Sequence, residues 1–480
     1  MGDSKEILTA MISVLHEEQF NVGKPPQPEQ MYIPPAHIKA LQLYSNLIVG
    51  ARGVGKSTWT SALSDINLQK IIGANIKELK NVIVRLGFSE KSDNTLYPSK
   101  DIFSKLLGEN FSPYEIWKTV VVRWLSDNRS DDIPIESWGE SVKWTKNNPE
   151  PWVKILEKAN KNYYERNTSG LILFDALDRS SDNWEKMDEI VRDLLRLVMQ
   201  LKTFSNIHAK IFLREDQFSR NVTNFPDASK LLSTKTELDW DLHDLHGLLW
   251  QLLCNAQGDG GNALRIMYKE AIGIDLIPQN NYWVINNEVK REEAKQRALF
   301  EKLAGPWMGR DPRRGVPYIW SVSHLADGKK LTSPRSFLTA IRDAAEDSLN
   351  RTSEYPLHYE SIKRAVRRAS SIRIDEIAED YPWVKDICQL ITGNNVPIEF
   401  SKVEEVWKQK YPNGPATMNP DRRLPPQDLD KGWFGIQKEL VRLGVFEEIR
   451  DGRINMPDLY RLGFGLGRKG GIPPINKGLN

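Results

Sequence analysis

Cysteine is nearly absent: Cys254 and Cys388 are the only two in 480 residues. Two thiols cannot make a disulfide framework or a four-cysteine zinc site. Both are expected to be small buried residues in a reducing compartment. Long apolar runs are missing as well, and none approaches the roughly 20 residues that a membrane-spanning helix needs. The N-terminal MGDSKEILTAMISVL carries Asp3, Lys5 and Glu6 ahead of a short apolar patch, with no small-residue cleavage site after it. A secretion signal is therefore not expected, and Glu6 breaks the myristoylation pattern that Gly2 would open. These absences point to a cytoplasmic protein with no membrane partner.

An excess of one charge sign is also lacking. Lys plus Arg is 66 and Asp plus Glu is 64, a formal charge of +2. That balance excludes a chain that is basic throughout, such as a DNA coat, and leaves local basic patches open. No repeat of solenoid or propeller length is visible. Spacing alone reveals no Ser-His-Asp or Cys-His arrangement. His243 and His246 lie three apart with no Cys/His/Glu set around them, so ordinary helix positions are expected rather than a metal site. The composition, 40% hydrophobic and 27% charged, fits a folded globular chain. Its length allows about three domain-sized units at ~150 residues each.

What is present is an alternation of strand and helix patterns. Ile7, Leu8, Met11, Ile12 and Leu15 recur at helical spacing within residues 1–23. Pro25, Pro26, Pro28, Pro34 and Pro35 then favour an extended linker. Strand candidates follow at Asn46–Val49, Val82–Leu86, Leu171–Phe174, Ala209–Leu213 and Lys235–Leu238. Helical patterns lie between them, the clearest at Trp184–Leu201. This order predicts an α/β fold with a mostly parallel sheet. After about residue 240 helical patterns dominate. Near the end, a helix at Trp433–Leu443 precedes Val445–Met456, where Asp451-Gly452 marks a tight turn between two short strand-like runs. That is the outline of a winged helix. The fifteen tryptophans are expected to be core or interface anchors.

The most specific motif is Gly50-Ala-Arg-Gly-Val-Gly-Lys-Ser57, which fits G-x-x-x-x-G-K-[ST] at every fixed position. An apolar strand precedes it and a helix pattern, Ser57–Leu68, follows. Gly50, Arg52, Gly53, Val54, Gly55, Lys56, Ser57 and Thr58 would form a phosphate cradle on a helix N-terminus. Lys56 would reach the β- and γ-phosphates, and Ser57 would hold Mg²⁺. Asp175 ends the LILF strand and is the expected second metal-side group. Asp178, in FDALDR, either orients water as a general base or caps the next helix. Arg214, at the tip of KIFLRED, either senses the γ-phosphate or pairs with Glu215 or Asp216. No Asn-Lys-x-Asp element for guanine is found, so ATP is the expected nucleotide.

In this order, GARGVGKS, FDALDR, KIFLRED, a helical region and a winged helix, the chain resembles the STAND class of P-loop ATPases. Its second motif is close to the NACHT type, with Asp175, Ala176, Leu177 and Asp178 in place and Arg179 where a final acid is usual. The resemblance spans roughly residues 40–465. It implies an ATP-binding and ATP-hydrolysing switch that governs assembly of a homo-oligomer or of a separately encoded effector, as in bacterial antiviral defence. It also implies that Pro334 starts a lid helix from which Arg335 faces the nucleotide; an ordinary helix start is the alternative. The regions would be 1–36, helix and linker; 37–240, the P-loop ATPase core; 241–355, the helical lid; and 356–480, a helical region with winged helix and basic tail.

Two basic features leave nucleic acid open as a partner. Lys363, Arg364, Arg367 and Arg368 cluster on one side of a helix, and the stretch from Leu459 carries Arg461, Arg468, Lys469 and Lys477. With the winged helix they would suit a DNA-handling ATPase that resembles origin-recognition initiators. A scaffold that binds ATP without turnover is the third reading. Arg310, Arg313 and Arg314, in GPWMGRDPRRGVPY, are expected to be a solvated loop, with an arginine finger or partner contact as the alternative.

Overall fold

The computed structural model describes residues 2–15, 25–126, 132–181, 183–218, 221–418 and 425–468. Contacts divide it into two compact units. One holds the described residues of Asn21–Pro28 and Ile33–Asp239; the other holds those of Met1–Phe20, Glu29–Tyr32 and Trp240–Asn480.

The first unit is built on a five-stranded, wholly parallel sheet. Its strands are β1 (Leu47–Gly50), β2 (Val82–Phe88), β3 (Ser169–Phe174), β4 (Ile207–Arg214) and β5 (Lys235–Glu237). Every strand expected from the sequence is present. The spatial order is β2-β3-β4-β1-β5, so β4 lies between the strand that leads into the glycine loop and the strand that ends at Asp175. Register brings Gly50 opposite Arg214.

Four helices, Lys100–Gly108, Pro113–Leu125, Trp138–Asn147 and Pro149–Glu165, are inserted between β2 and β3. Their interior braces the end of β3. The Trp117 ring meets Phe174 edge-on at 5.5 Å, and Phe103 lies 4.9 Å from Trp117. Trp117 Nε1 donates to the Ile190 carbonyl of helix Trp184–Leu201 at 3.0 Å. Rings of this size bury large apolar areas and prefer such edge contacts.

The helix expected over Ser57–Leu68 is two helices. Lys56–Ser64 ends where Asp65 turns extended and caps Ile66–Asn75, accepting from the Asn67 and Leu68 amides. An aspartate that can satisfy free amides starts a helix better than it continues one.

The second unit is mainly helical. Helix Gly2–Val14 packs into it through Met11, with its backbone close to helix Gly258–Ile272: a Cβ on Gly260 would lie 2.1 Å from the Glu6 carbonyl. Glu29–Tyr32, within the expected proline linker, is also folded here. Tyr32 donates to Asp244 at 3.1 Å, and Gln251 donates to the Glu29 carbonyl at 3.0 Å.

The expected winged helix is complete in outline. Helices Pro382–Gln389, Phe400–Lys410 and Gly432–Arg442 precede a hairpin of Glu447–Glu448 and Ile454–Asn455. Ile398 and Ile454 exchange backbone hydrogen bonds at 2.7 and 2.8 Å, an isolated bridge that ties the hairpin to the segment before helix Phe400–Lys410. The Trp407, Trp433 and Phe446 rings form its core. Cys254 and Cys388 are buried free thiols. Among the described residues no helix is long and apolar enough to cross a membrane.

Candidate nucleotide site

The site forms where β1, β3 and β4 end on the same edge of the sheet. In open α/β sheets that edge, beyond the strand C-termini, is where ligands bind. Leaving β1 at Gly50, the chain makes a tight loop and enters helix Lys56–Ser64. Gly53 (φ 81°) and Gly55 (φ 97°) hold left-handed backbone that a side chain would strain. The first amides of helix Lys56–Ser64 have no acceptor within the helix, so an anion bound at this end would gain both hydrogen bonds and the helix dipole.

Lys56 bends back over the loop. Its Nζ donates to the Gly50 carbonyl at 2.9 Å and the Ala51 carbonyl at 2.7 Å. Burial and the Arg214 charge push its pKa down to about 8, against Asp175, Asp178 and Asp216. An ammonium held by two neutral carbonyls is suited to exchange those contacts for the charged oxygens of a phosphate.

Asp175 follows β3 and is 3% exposed. Its carboxylate accepts from the Ser57 hydroxyl, and burial pushes its pKa upward against that bond and the Lys56 charge. The next residue, Ala176, sits in left-handed backbone at φ 56°, a cost of about 1 kcal/mol or more for a residue with a Cβ. The turn it makes carries the chain through Leu177–Arg179 and brings Asp178 back toward β4.

Arg214 closes the group. Its guanidinium holds Asp216 in a fork, Nε to Oδ1 at 3.1 Å and Nη2 to Oδ2 at 2.8 Å, and reaches Asp178 Oδ2 from Nη1 at 3.3 Å. The pair with Asp216 is the alternative that the sequence left open, and the bond to Asp178 is added to it. Asp178 does not cap the helix that follows: Asn183 does, accepting from the Lys186 amide at 3.0 Å. Arg179, which stands where a final acid is usual, is ion-paired with Glu90.

Lys56, Ser57, Asp175, Asp178 and Arg214 are thus linked in one neighbourhood, with Gly50, Arg52, Gly53, Val54 and Gly55 in the loop above and Thr58 exposed on the first helical turn. Arg335 belongs to the other unit. Pro334 does begin a helix there, Pro334–Ser348, with Ser333 as its cap, and Arg335 pairs with Glu376 at 3.3 Å. Asp216, which the sequence offered as a partner for Arg214, orients its guanidinium. One residue escaped the sequence reading. Lys210 is fully buried in β4, donating to the carbonyls of Ala40, Gln42 and Ser45; its signal was a cation inside the apolar run AKIFL.

The donor set fits a divalent cation: one hydroxyl and one carboxylate oxygen, with the remaining positions open to water and phosphate, is the hard-oxygen arrangement that Mg²⁺ takes. Among the described residues no group of three or more His, Cys, Asp or Glu could hold a metal. His243 and His246 make ordinary contacts, His246 Nε2 with the Tyr318 carbonyl at 2.9 Å and His243 Nδ1 with the Tyr318 hydroxyl at 3.3 Å.

The basic features differ from the sequence expectation. Arg461 is fully buried and bonded to Asp458 and the Leu466 carbonyl, so it is an interior ion-pair partner rather than part of a basic tail. Arg468 shares Asp458, and Lys469 and Lys477 lie outside the described residues. On helix Tyr359–Asp380, Lys363 pairs with Glu360, Arg364 with Asp347, and Arg368 with Asp343 and Glu346.

No family model and no curated protein sequence matches the chain. Among solved structures it is similar to the Aeropyrum pernix ORC1 protein in complex with DNA, at 14% identity, covering 94% of each chain with a TM-score of 0.39. It is also similar to the Aeropyrum pernix ORC2 protein in ADPNP-ADP complexes, at 13% identity over 92% of this chain and 93% of that one, with a TM-score of 0.32. Likeness at this level decides neither ligand nor partner.

Proposed function

We propose that the chain is an ATP-binding switch that hydrolyses ATP slowly and so controls assembly or activation of a partner. The observation that supports this most is the convergence of Lys56, Ser57, Asp175, Asp178 and Arg214 on one edge of a parallel sheet, around a loop of the phosphate-cradling form. Lys56 and the loop amides bind the β- and γ-phosphates. Ser57 and, through water, Asp175 hold Mg²⁺. When bound, that ion would offset the negative charge of the phosphates. Asp178 orients the attacking water, and Arg214 reports the γ-phosphate by trading part of its carboxylate pairing for phosphate oxygens.

Such a switch works only by differential binding: the ATP and ADP forms must contact the protein differently. Arg214 supplies that difference here, since only ATP offers it a third phosphate. The resemblance to the STAND class extends the reading to control of a homo-oligomer or a separate effector in bacterial antiviral defence.

Molar mass in solution, measured with ADP, with a non-hydrolysable ATP analogue and with neither, tests the switch. A larger species with the analogue alone is expected. A monomer in all three states would overturn the assembly reading. The winged-helix outline favours a second reading, a DNA-handling ATPase of the AAA+ kind, which requires steeply salt-dependent duplex binding.

A further inference from the structure

In the helical unit a cavity of about 380 Å³ opens between residues 304–309 and 352–359. That volume falls in the range of roughly 300–1,000 Å³ that small-molecule sites occupy. Its walls carry Trp307, Tyr355, His358 and Tyr359, all half-buried. The His358 and Tyr359 rings lie 4.4 Å apart, and Lys363 Nζ sits 5.0 Å above the Tyr359 ring. Flat aromatic faces that are neither exposed nor packed away are what a planar ring stacks on.

One rim of the cavity runs directly into an arginine loop. Gly309 lines the cavity, and residues 310–314 follow as an excursion closed by the Met308 amide donating to the Gly315 carbonyl at 2.8 Å. Fully buried Met308 anchors it, and the Asp311 carboxylate fixes its turn by accepting from the Arg313 amide at 2.9 Å. Arg314 folds back beside Gly309: its Cγ lies 3.1 Å from where a Cβ on that glycine would stand. Arg313 pairs with Asp311. Arg310 and Arg314 are exposed, and among the described residues neither has an ion-pair partner. This differs from the helix Tyr359–Asp380, where Lys363, Arg364 and Arg368 each face an acid.

We infer that this cavity binds a nucleobase linked to phosphate, as a single-stranded nucleic acid or a free nucleotide supplies it. The base stacks among Trp307, Tyr355 and Tyr359. Its phosphate meets Arg310 and Arg314. Glu354, on the wall, accepts from an exocyclic amino group, which favours adenine, cytosine or guanine over uracil or thymine. A purely apolar ligand would leave the two arginines unused, and an anion without a ring would leave the aromatic walls bare. The inference does not rest on the P-loop reading, because its residues are separate.

The test uses the full-length chain carrying Lys56→Ala, so that nucleotide binding at the P-loop is removed and the two readings fail independently. Fluorescence anisotropy is read with a labelled single-stranded adenine/cytosine oligonucleotide, with the same sequence as duplex, and with AMP as a competitor. Single-strand binding is expected. Trp307→Ala should weaken it about 5- to 150-fold, as loss of one stacking partner does. Arg310→Ser with Arg314→Ser, on exposed side chains that leave the core alone, should make the salt dependence shallower by about 1.4 in log–log slope for two single-strand phosphate contacts. Binding of AMP without the oligonucleotide, lost in Trp307→Ala, assigns the site to free nucleotide. Duplex bound as well as single strand, unchanged affinity in both variants, or no binding of either probe at about 50 mM salt would each overturn the inference.

Discussion

Arg214 Nη1 lies 3.3 Å from Asp178 Oδ2, with only 14% and 27% of the two side chains exposed. The proposed γ-phosphate sensor and the acid proposed to orient water are therefore one ion pair, and a change in one bears on the other. Arg214→Ala is expected to lower kcat about 10²- to 10³-fold, the loss typical when one preorganised charge donor is removed. Arg214→Lys should recover little, because a lysine cannot hold Asp216 in a fork and reach Asp178 together. Asp178→Asn in the Arg214→Ala background should cost much less than it does alone. Phosphate release in the two single variants and the double variant checks this; strictly additive losses would separate the two roles.

Lys56 gives a second prediction, on pH. A lysine pushed down to about 8 is charged below that value and loses its charge as pH rises through it. Nucleotide affinity should therefore be highest below pH about 8 and decline above it. Lys56→Ala should abolish binding at every pH. It should leave the melting temperature of the nucleotide-free protein close to that of the parent, since the lysine's direct bonds are to two loop carbonyls. Calorimetric titration with ATP between pH 6.5 and 9.5, roughly the span on either side of that shifted value, would detect either failure.

Lys210 makes a third. Burial holds its pKa down to about 7, and three backbone carbonyls of residues 40–45 surround its Nζ. Below pH 7 the folded and unfolded chains both carry the proton, so this group adds no slope. Between about 7 and the ordinary lysine value of roughly 10.4 the unfolded chain binds more protons, so stability rises with pH. Lys210→Met should erase that rise. It should also destabilise the protein, by about 1–3 kcal/mol for each carbonyl left without a donor. Urea unfolding of both proteins at two pH values on either side of this range measures both effects.

How much of this was legible in the sequence depended on how local each cause is. The strands and the glycine loop were readable because apolar runs and G-x-x-x-x-G-K-S act over a few neighbouring residues. Asp175 was readable because it ends such a run. The pairing of Asp178 with Arg214 was not, since it depends on β4 lying beside β3, a sheet order that neither segment encodes alone. The break at Asp65 was missed because the apolar spacing continues through it while the cap does not. Arg461 read as surface because its partner, Asp458, lies three residues upstream, just before the stretch that looked free of acid. The proline segment read as a linker, yet Tyr32 finds Asp244 more than two hundred residues away.

The basic helix Tyr359–Asp380 carries the last prediction. A phosphate-binding face needs cations that are available, and here Arg364 meets Asp347 at 3.1 Å while Arg368 meets Asp343 at 3.3 Å and Glu346 at 3.9 Å. Arg364→Ala, Arg367→Ala and Arg368→Ala combined should therefore leave duplex DNA affinity and its salt slope unchanged. They should instead lower Tm by a few degrees, because Asp343, with 6% of its side chain exposed, loses its contact with Arg368. The loss should depend on pH in a defined sense. Burial would raise the pKa of Asp347, but bonds from Ser361, Arg351 and Arg364 outweigh it and hold the carboxyl below its ordinary value. Such a group stabilises the fold above its unfolded pKa and loses that contribution as pH falls through the folded one. The gap in Tm between parent and triple variant should thus be largest near neutrality and narrow in acid. Thermal melts at pH 7 and at pH about 3.5, near the ordinary aspartate pKa, decide it, and a steep loss of duplex binding in the same variant would restore the DNA-handling reading for this helix.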